Sequence, residues 1–171
     1  ICSHATAWDC PISFMGKLGE LKKHPRTADN LHIVRMWEEA KLQGCFTAEQ
    51  KEMLKDPEQE YLLQKGPDGR FHLYPYTQIT SDTEGPVRAF VFERNGKTCV
   101  VYWHMTGTGE ITLETDKKLI RLFQENGRKV PIRYKDKKVI LPAGDRLFLE
   151  IDLPQEEAIH LFRTGCIQNR S

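Results

Sequence analysis

The sequence predicts an α+β chain in which a short helical N-terminal piece precedes an antiparallel β-sandwich. Two observations support this prediction. Apolar residues recur at helical spacing in the first third, whereas short strand-like runs separated by turn signals follow residue 57. Of the 171 residues, 39% are apolar and 29% are charged. This ordinary globular composition excludes collagen-like, disordered and disulfide-scaffold classes.

The charge, hydropathy and cysteine content exclude further classes of protein. The 25 basic and 24 acidic residues give a net charge of +1, which argues against a dedicated nucleic-acid binder. No run of 18 apolar residues is present, so no membrane-spanning helix is expected. Five cysteines without a CxxC pair predict small buried hydrophobic residues rather than a disulfide framework or a zinc site. No metal or other cofactor is therefore expected.

Three helices are predicted in the N-terminal third. Pro11 fits the first turn of a helix, with Asp9 or Cys10 as its N-cap. A longer helix is expected over about 27–43, where the apolar stripe is strongest. A capping box then predicts a short helix over about 47–55.

Strand and turn signals dominate the rest of the chain. The segments 61–63 and 71–74 form a predicted hairpin, and Asn95-Gly96 joins the stronger hairpin of 88–94 and 97–105. Both faces of the latter hairpin are apolar, which places it in the middle of a sheet. Further strands are predicted at 110–114, 118–123, 130–135, 137–141, 146–151 and 158–163. Short antiparallel strands at this spacing are typical of a sandwich.

The chain is predicted to divide near residue 57. Residues 58–171 are long enough for a C-terminal β-sandwich domain, whereas residues 1–57 are too few for a confident domain of their own. The N-terminal piece instead fits the closing segment of a larger helical or α/β unit, with 1–7 as its last β-strand. The chain opens on Ile1 within an apolar run, so we expect a fragment of a longer protein.

Two stretches, 28–63 and 88–113, resemble bacterial glycoside hydrolases built as a (β/α)8 TIM barrel followed by a C-terminal β-sandwich. The first resembles a terminal barrel helix running into a linker, and the second resembles the first hairpin of an accessory sandwich. The resemblance thus implies that residues 1–57 are the last strand and terminal helices of a truncated barrel domain. The resemblance implies a carbohydrate substrate bound through the parent enzyme and a structural or accessory sandwich that packs on the missing barrel. It also implies that this chain alone is inactive, and it favours a periplasmic or extracellular location for the parent.

The candidate substrate-binding residues are Trp8, His4 and Asp9. The C-terminal end of a barrel strand faces the active site, so a strand over 1–7 would present Trp8 as a stacking platform for a sugar ring. Asp9 would accept hydrogen bonds from sugar hydroxyls. The alternative is a core Trp8 and an Asp9 that caps the next helix, and capping is favoured for Asp9. No motif supplies a second carboxylate nearby, so no catalytic residue is assigned.

The strongest local excess of one charge lies at 117–138. This segment contains nine basic residues and only two acidic ones, Glu125 and Asp136. This segment could bind an anionic glycan or a nucleic acid. The favoured interpretation is instead a solvated outer face, whose lysines prevent a sheet edge from pairing with another chain. A non-enzymatic β-sandwich binding module for a glycan or a protein is the rival function, and an independent small protein is a third. No nucleic acid and no membrane are expected as partners.

Overall fold

The computed structural model describes residues 2–13, 15–80 and 85–170, without the Arg170 side chain. The chain forms two compact units, Ile1–Tyr76 and Thr77–Ser171. The hairpin that follows residue 57 is thus assigned to the same unit as the helices. The division into a barrel remnant over 1–57 and a sandwich domain over 58–171 stays a prediction. No helix in the described ranges is long and apolar enough to cross a membrane.

The first unit contains four helices and a hairpin. Its helices are α1 (Cys2–Ala7), α2 (Leu18–Lys23), α3 (Thr27–Leu42) and α4 (Ala48–Met53), and its strands are β1 (Glu60–Lys65) and β2 (Phe71–Gln78). The antiparallel pairing of β1 with β2 confirms the first predicted hairpin. The predicted capping box at the start of α4 is also present.

The core of the first unit is centred on α3. This helix buries Met36, Trp37 and Ala40, and the indole of Trp37 stacks on Phe46 with ring centroids 5.8 Å apart. The side chains that complete the core come from α1, the end of α4 and the hairpin. The predicted stripe on this helix is therefore confirmed.

Residues 2–7 form the helix α1, so the strand predicted over 1–7 is wrong for its described part. Ser3, Thr6 and Ala7 are buried at i, i+3 and i+4, which is helical spacing. Two alanines raise the helix propensity, and a packed face compensates for the short length. The helix predicted to open at Pro11 begins later than expected, as α2 at Leu18, and the described residues from Asp9 to Lys17 are not helical. Phe14, which falls within that predicted helix, lies outside the described residues.

The second unit is a two-sheet antiparallel sandwich, as predicted. Within this unit one sheet has the order β3-β4-β10-β6-β7 and the other β11-β5-β9-β8. Its elements are β3 (Val87–Arg94), β4 (Lys97–His104), β5 (Thr108–Leu113), β6 (Ile120–Phe123), β7 (Lys129–Val130), β8 (Arg133–Lys135), β9 (Lys138–Ala143), β10 (Leu147–Ile151), α5 (Gln155–Thr164) and β11 (Cys166–Arg170).

The sandwich core is built around β4. Val100 and Tyr102 are fully buried, and the Tyr102 hydroxyl donates to the Pro142 carbonyl of the other sheet at 3.0 Å. The β3–β4 hairpin turns through Asn95 and Gly96, whose φ values of 54° and 71° fit the predicted two-residue turn. The central hairpin is thus confirmed in position and register.

The strand predicted over 158–163 is wrong, because this segment belongs to the helix α5. Ala158, Leu161 and Phe162 are buried at i, i+3 and i+4, and Glu156 and Glu157 occupy the first turn, where acidic residues are favourable. The strand β11, which pairs with β5, was not predicted. The predicted strand over 130–135 is also divided, since β7 and β8 belong to different sheets on either side of Pro131.

Candidate functional site

Trp8 lies at the end of α1 and is 65% exposed. The Lys55 ammonium lies 4.6 Å from the centroid of the indole, within cation–π distance. Trp8 is therefore no core aromatic, which excludes the alternative placement in the core. The barrel argument for its role is also removed, because α1 replaces the expected strand. Substrate binding by Trp8 stays a prediction, now based on its exposure.

Asp9 ends the preceding helix and does not cap the following one. The φ of Asp9 is 52°. The Cys10 amide donates to the Ala5 carbonyl at 2.8 Å, and the Asp9 amide donates to the Thr6 carbonyl at 3.2 Å. This pair of bonds defines a Schellman motif with Asp9 at the left-handed position. The expected N-cap role is thus wrong. Short polar side chains tolerate this conformation better than most others.

The Asp9 carboxylate is held by α4. Both of its oxygens accept hydrogen bonds from the Lys51 ammonium, at 2.7 and 2.8 Å. A sugar hydroxyl at Asp9 would therefore share the carboxylate with an existing ion pair. The substrate-binding role predicted for Asp9 stays a prediction.

His4 is anchored to the chain that follows α4. Its Nε2 lies 3.1 Å from the Asp56 backbone carbonyl, which requires the proton on Nε2. This hydrogen bond joins α1 to the end of the α4 segment on the same side as Lys51 and Lys55. Substrate binding by His4 likewise remains a prediction.

Together these side chains form what we call the Trp8 cluster: His4, Trp8, Asp9, Lys51 and Lys55. It offers an exposed aromatic surface, a carboxylate and two ammonium groups, which are suited to hold a polar ring. The cluster contains one carboxylate, Asp9, and Glu52 adjoins it through an ion pair with Lys55. Glycoside hydrolysis needs two carboxylates flanking the scissile bond, and both of these are engaged by lysines. The lysines were missed from the sequence because they lie more than 40 positions from Trp8 and Asp9, and no local pattern links them.

Several titratable groups outside the Trp8 cluster are buried or half-buried. Burial raises the pKa of the Cys99 thiol to about 11 and, together with nearby Glu60, that of Tyr76 to about 12. His104 is buried in β4, where Nδ1 accepts from the Gly107 amide at 2.8 Å and Nε2 lies 3.2 Å from the Asn169 side-chain oxygen. It thus ties the β4–β5 turn to β11.

No metal site emerges from the described ranges, where no three His, Cys, Asp or Glu side chains are grouped to hold an ion. The expectation of buried cysteines is only partly correct. Cys99 is buried and Cys2 half-buried, but Cys10, Cys45 and Cys166 are exposed.

Comparison with known proteins gives one distant likeness. No protein-family model and no curated protein matches the chain. A solved structure of a family 39 glycoside hydrolase from the gut symbiont Bacteroides cellulosilyticus WH2 is similar at a TM-score of 0.36 and 15% identity. The likeness covers 60% of this chain and 19% of that chain. This level of similarity establishes neither a shared fold nor a shared activity.

Proposed function

We propose that this chain is the C-terminal part of a carbohydrate-active glycoside hydrolase. The helical unit completes a larger catalytic domain, and the sandwich has a structural or accessory role. The Trp8 cluster contributes to sugar binding, while the two catalytic carboxylates are supplied by the larger domain. The chain alone is then inactive.

The observation that carries this proposal is the distribution of exposed apolar side chains. Among the described residues, seven large hydrophobic side chains are exposed, and six of them lie between residues 8 and 53. The extremes are Met15 at 96% and Leu42 at 85% exposure. Single exposed apolar residues are ordinary, but their concentration in one of two units supports a covering partner. The six are Trp8, Met15, Leu18, Leu31, Leu42 and Met53.

The sandwich contrasts with the helical unit in this respect. Its described residues include a single exposed large hydrophobic side chain, Tyr134, and its own sheets and α5 bury a continuous core. Few of its described apolar side chains are therefore left for another surface to cover. This supports an accessory role for the sandwich and an incomplete domain for the helices.

The first test combines the upstream coding sequence with an activity assay. We expect some 300 or more further residues with alternating strand and helix patterns, as a barrel of this kind requires. The longer polypeptide should hydrolyse an aryl glycoside, and residues 1–171 should not. A start codon directly before Ile1 would contradict the proposal, as would turnover by 1–171 that is lost on mutation of its own acids.

The second test replaces Trp8 in the longer protein. Trp8→Ala should lower kcat/KM by roughly three- to tenfold, the worth of one aromatic contact, while Tm changes little because Trp8 lines the sugar-binding surface and is not part of the surface that the larger domain covers. Leu42→Ala removes another exposed apolar side chain from the same unit and should leave the kinetics unchanged. A large loss of Tm with unchanged kinetics would make Trp8 structural.

The rival function is a non-enzymatic sandwich that binds a glycan or a protein. The cation-rich segment 117–138 favours this alternative, since it belongs to the sandwich alone. The activity assay separates the two functions, because the rival predicts no hydrolysis from any longer polypeptide.

A further inference from the structure

The charge of this protein is strongly uneven. Residues 117–138 carry nine basic and two acidic side chains, a net charge of +7. The other 149 residues carry sixteen basic and twenty-two acidic side chains, a net charge of −6. The net charge of the whole chain is therefore small although one segment is strongly cationic.

The fold gathers this segment at one side of the sandwich. The strand β7 is the edge of one sheet and β8 is the edge of the other, with only residues 131–132 between them. The 3₁₀ turn Lys117–Leu119 leads directly into β6, the neighbour of β7. We call these elements and the turns between them, residues 117–138, the basic side.

Most cations of the basic side have no acidic partner. Arg121 pairs with Glu150 and Asp152, Arg133 with Glu110, and Lys138 with Glu114. The remaining six are all exposed, and none of them forms an ion pair with a described residue: Lys117, Lys118, Arg128, Lys129, Lys135 and Lys137. Their charge is therefore available to a ligand.

A surface depression adjoins these cations. Its lining includes Tyr134, whose side chain is 45% exposed, the two lysines Lys137 and Lys138, and three acidic residues, Glu114, Asp116 and Asp136. An exposed aromatic ring can lie against the apolar face of a sugar, and carboxylates accept hydrogen bonds from hydroxyl groups. Each sugar residue of a glycan has several hydroxyl groups that can donate to these carboxylates, whereas the backbone of DNA has no free hydroxyl group along the chain.

We propose that the basic side binds an acidic oligosaccharide, such as a uronate-containing glycan. The sugar carboxylates pair with the exposed lysines, and a sugar ring lies against Tyr134. Five of the six unpaired cations are lysines, whose ammonium groups can pair with sugar carboxylates as compact point charges. The inference goes beyond the accessory role proposed above and rests on the sandwich alone, so its failure would leave the hydrolase proposal standing.

The test measures binding of the 171-residue chain to an oligogalacturonate by titration calorimetry. The fully methyl-esterified oligomer is the uncharged control, and single-stranded DNA of equal charge is the competing polyanion. We expect binding of the free acid, loss of binding on esterification, and weaker binding of DNA. The affinity should fall by about tenfold or more between roughly 50 and 300 mM NaCl, because salt screens exposed charges.

Two triple variants locate the surface. Lys118→Gln, Lys129→Gln and Lys135→Gln together should weaken binding by about tenfold, since each removes an exposed cation from a different element of the basic side. The matched control changes three exposed lysines elsewhere, Lys17→Gln, Lys22→Gln and Lys97→Gln, and should leave the affinity within about twofold. Tyr134→Thr keeps a good strand former and should weaken binding by roughly three- to tenfold.

Several results would overturn the proposal. These are no binding of the free acid at low salt, equal binding of the methyl ester, tighter binding of DNA, or the same loss in both triple variants. The last two would indicate a nucleic-acid surface and non-specific charge attraction, respectively. If no ligand binds, the role of the lysines is to prevent the two sheet edges from pairing with other chains.

Discussion

At the scale of single residues, Asp9 carries a backbone strain that a substitution pair can measure. Its φ of 52° is costly for any residue with a Cβ, by about 1–2 kcal/mol, and glycine avoids this cost. Asp9→Gly and Asp9→Ala both remove the ion pair with Lys51, so their difference reports the backbone alone. We expect the free energy of unfolding of the glycine variant to exceed that of the alanine variant by about 1 kcal/mol. This figure allows for the greater freedom of glycine in the unfolded chain.

Urea denaturation of the two variants provides the measurement. Lys51→Ala serves as the control, because it removes the ion pair and leaves the Asp9 backbone unchanged. This exposed pair should be worth less than about 1 kcal/mol. Equal stability of the glycine and alanine variants would contradict the Schellman assignment.

The five thiols should differ in reactivity as their burial differs. Only the thiolate is nucleophilic, and the pKa of Cys99, raised to about 11, leaves almost none of it at pH 8. Cys10, Cys45 and Cys166 are exposed and should be alkylated in the native protein, whereas Cys99 should react only after unfolding. Mass spectrometry of iodoacetamide-treated protein in buffer and in urea measures this. Alkylation of native Cys99 as fast as Cys10 would contradict the buried placement.

The candidate site was only partly predictable from sequence. Trp8 was singled out for its position after a small-residue stretch, and it is exposed, although the stretch is a helix. Asp9 was misplaced because aspartate is a preferred N-cap and Pro11 is a preferred first-turn residue, so two local signals agreed on the wrong helix end. Lys51 and Lys55 reach the site only through the packing of α4 beside α1, which no local pattern encodes.

At the scale of elements, α5 offers the clearest test, because it was predicted as a strand. Phe162 is 5% exposed and contacts Tyr102 with ring centroids 6.0 Å apart. Phe162→Ala should lower the free energy of unfolding by about 3–5 kcal/mol, since truncating a core aromatic leaves a cavity. Thermal and urea unfolding measure the loss.

The exposed face of the same helix supplies the control. His160→Ala should change the stability by less than about 0.5 kcal/mol, because the side chain is exposed. A strand over 158–163 would place residues 160 and 162 on one face and make both substitutions similar. Comparable losses at the two positions would therefore contradict the helix.

Elements were predictable where the signal was local. The Asn95-Gly96 turn fixed the position and register of β3 and β4, because the turn requires positive φ at both residues. The capping box likewise located the start of α4. The helix α1 was missed because six residues are too few to show a period, and its burial depends on α3 and α4. Pro131 was the available signal that one predicted strand divides into β7 and β8.

At the scale of the whole molecule, the two units should differ in autonomy. The sandwich buries its core between two sheets and α5, whereas the helical unit exposes six large hydrophobic side chains among its described residues. Short helices are marginal in water without packing of their apolar faces. We therefore expect a partner domain to complete the helical unit, as proposed above.

Hydrogen–deuterium exchange of the isolated 171-residue chain tests this claim most directly. Amides of β4, β9 and β10 should exchange only by global unfolding, while those of α1, α2 and α4 should exchange through local opening at much lower free energy. In the longer polypeptide the same helical amides should gain protection. Equal protection of helices and sandwich in the isolated chain, with no gain in the longer one, would contradict the claim.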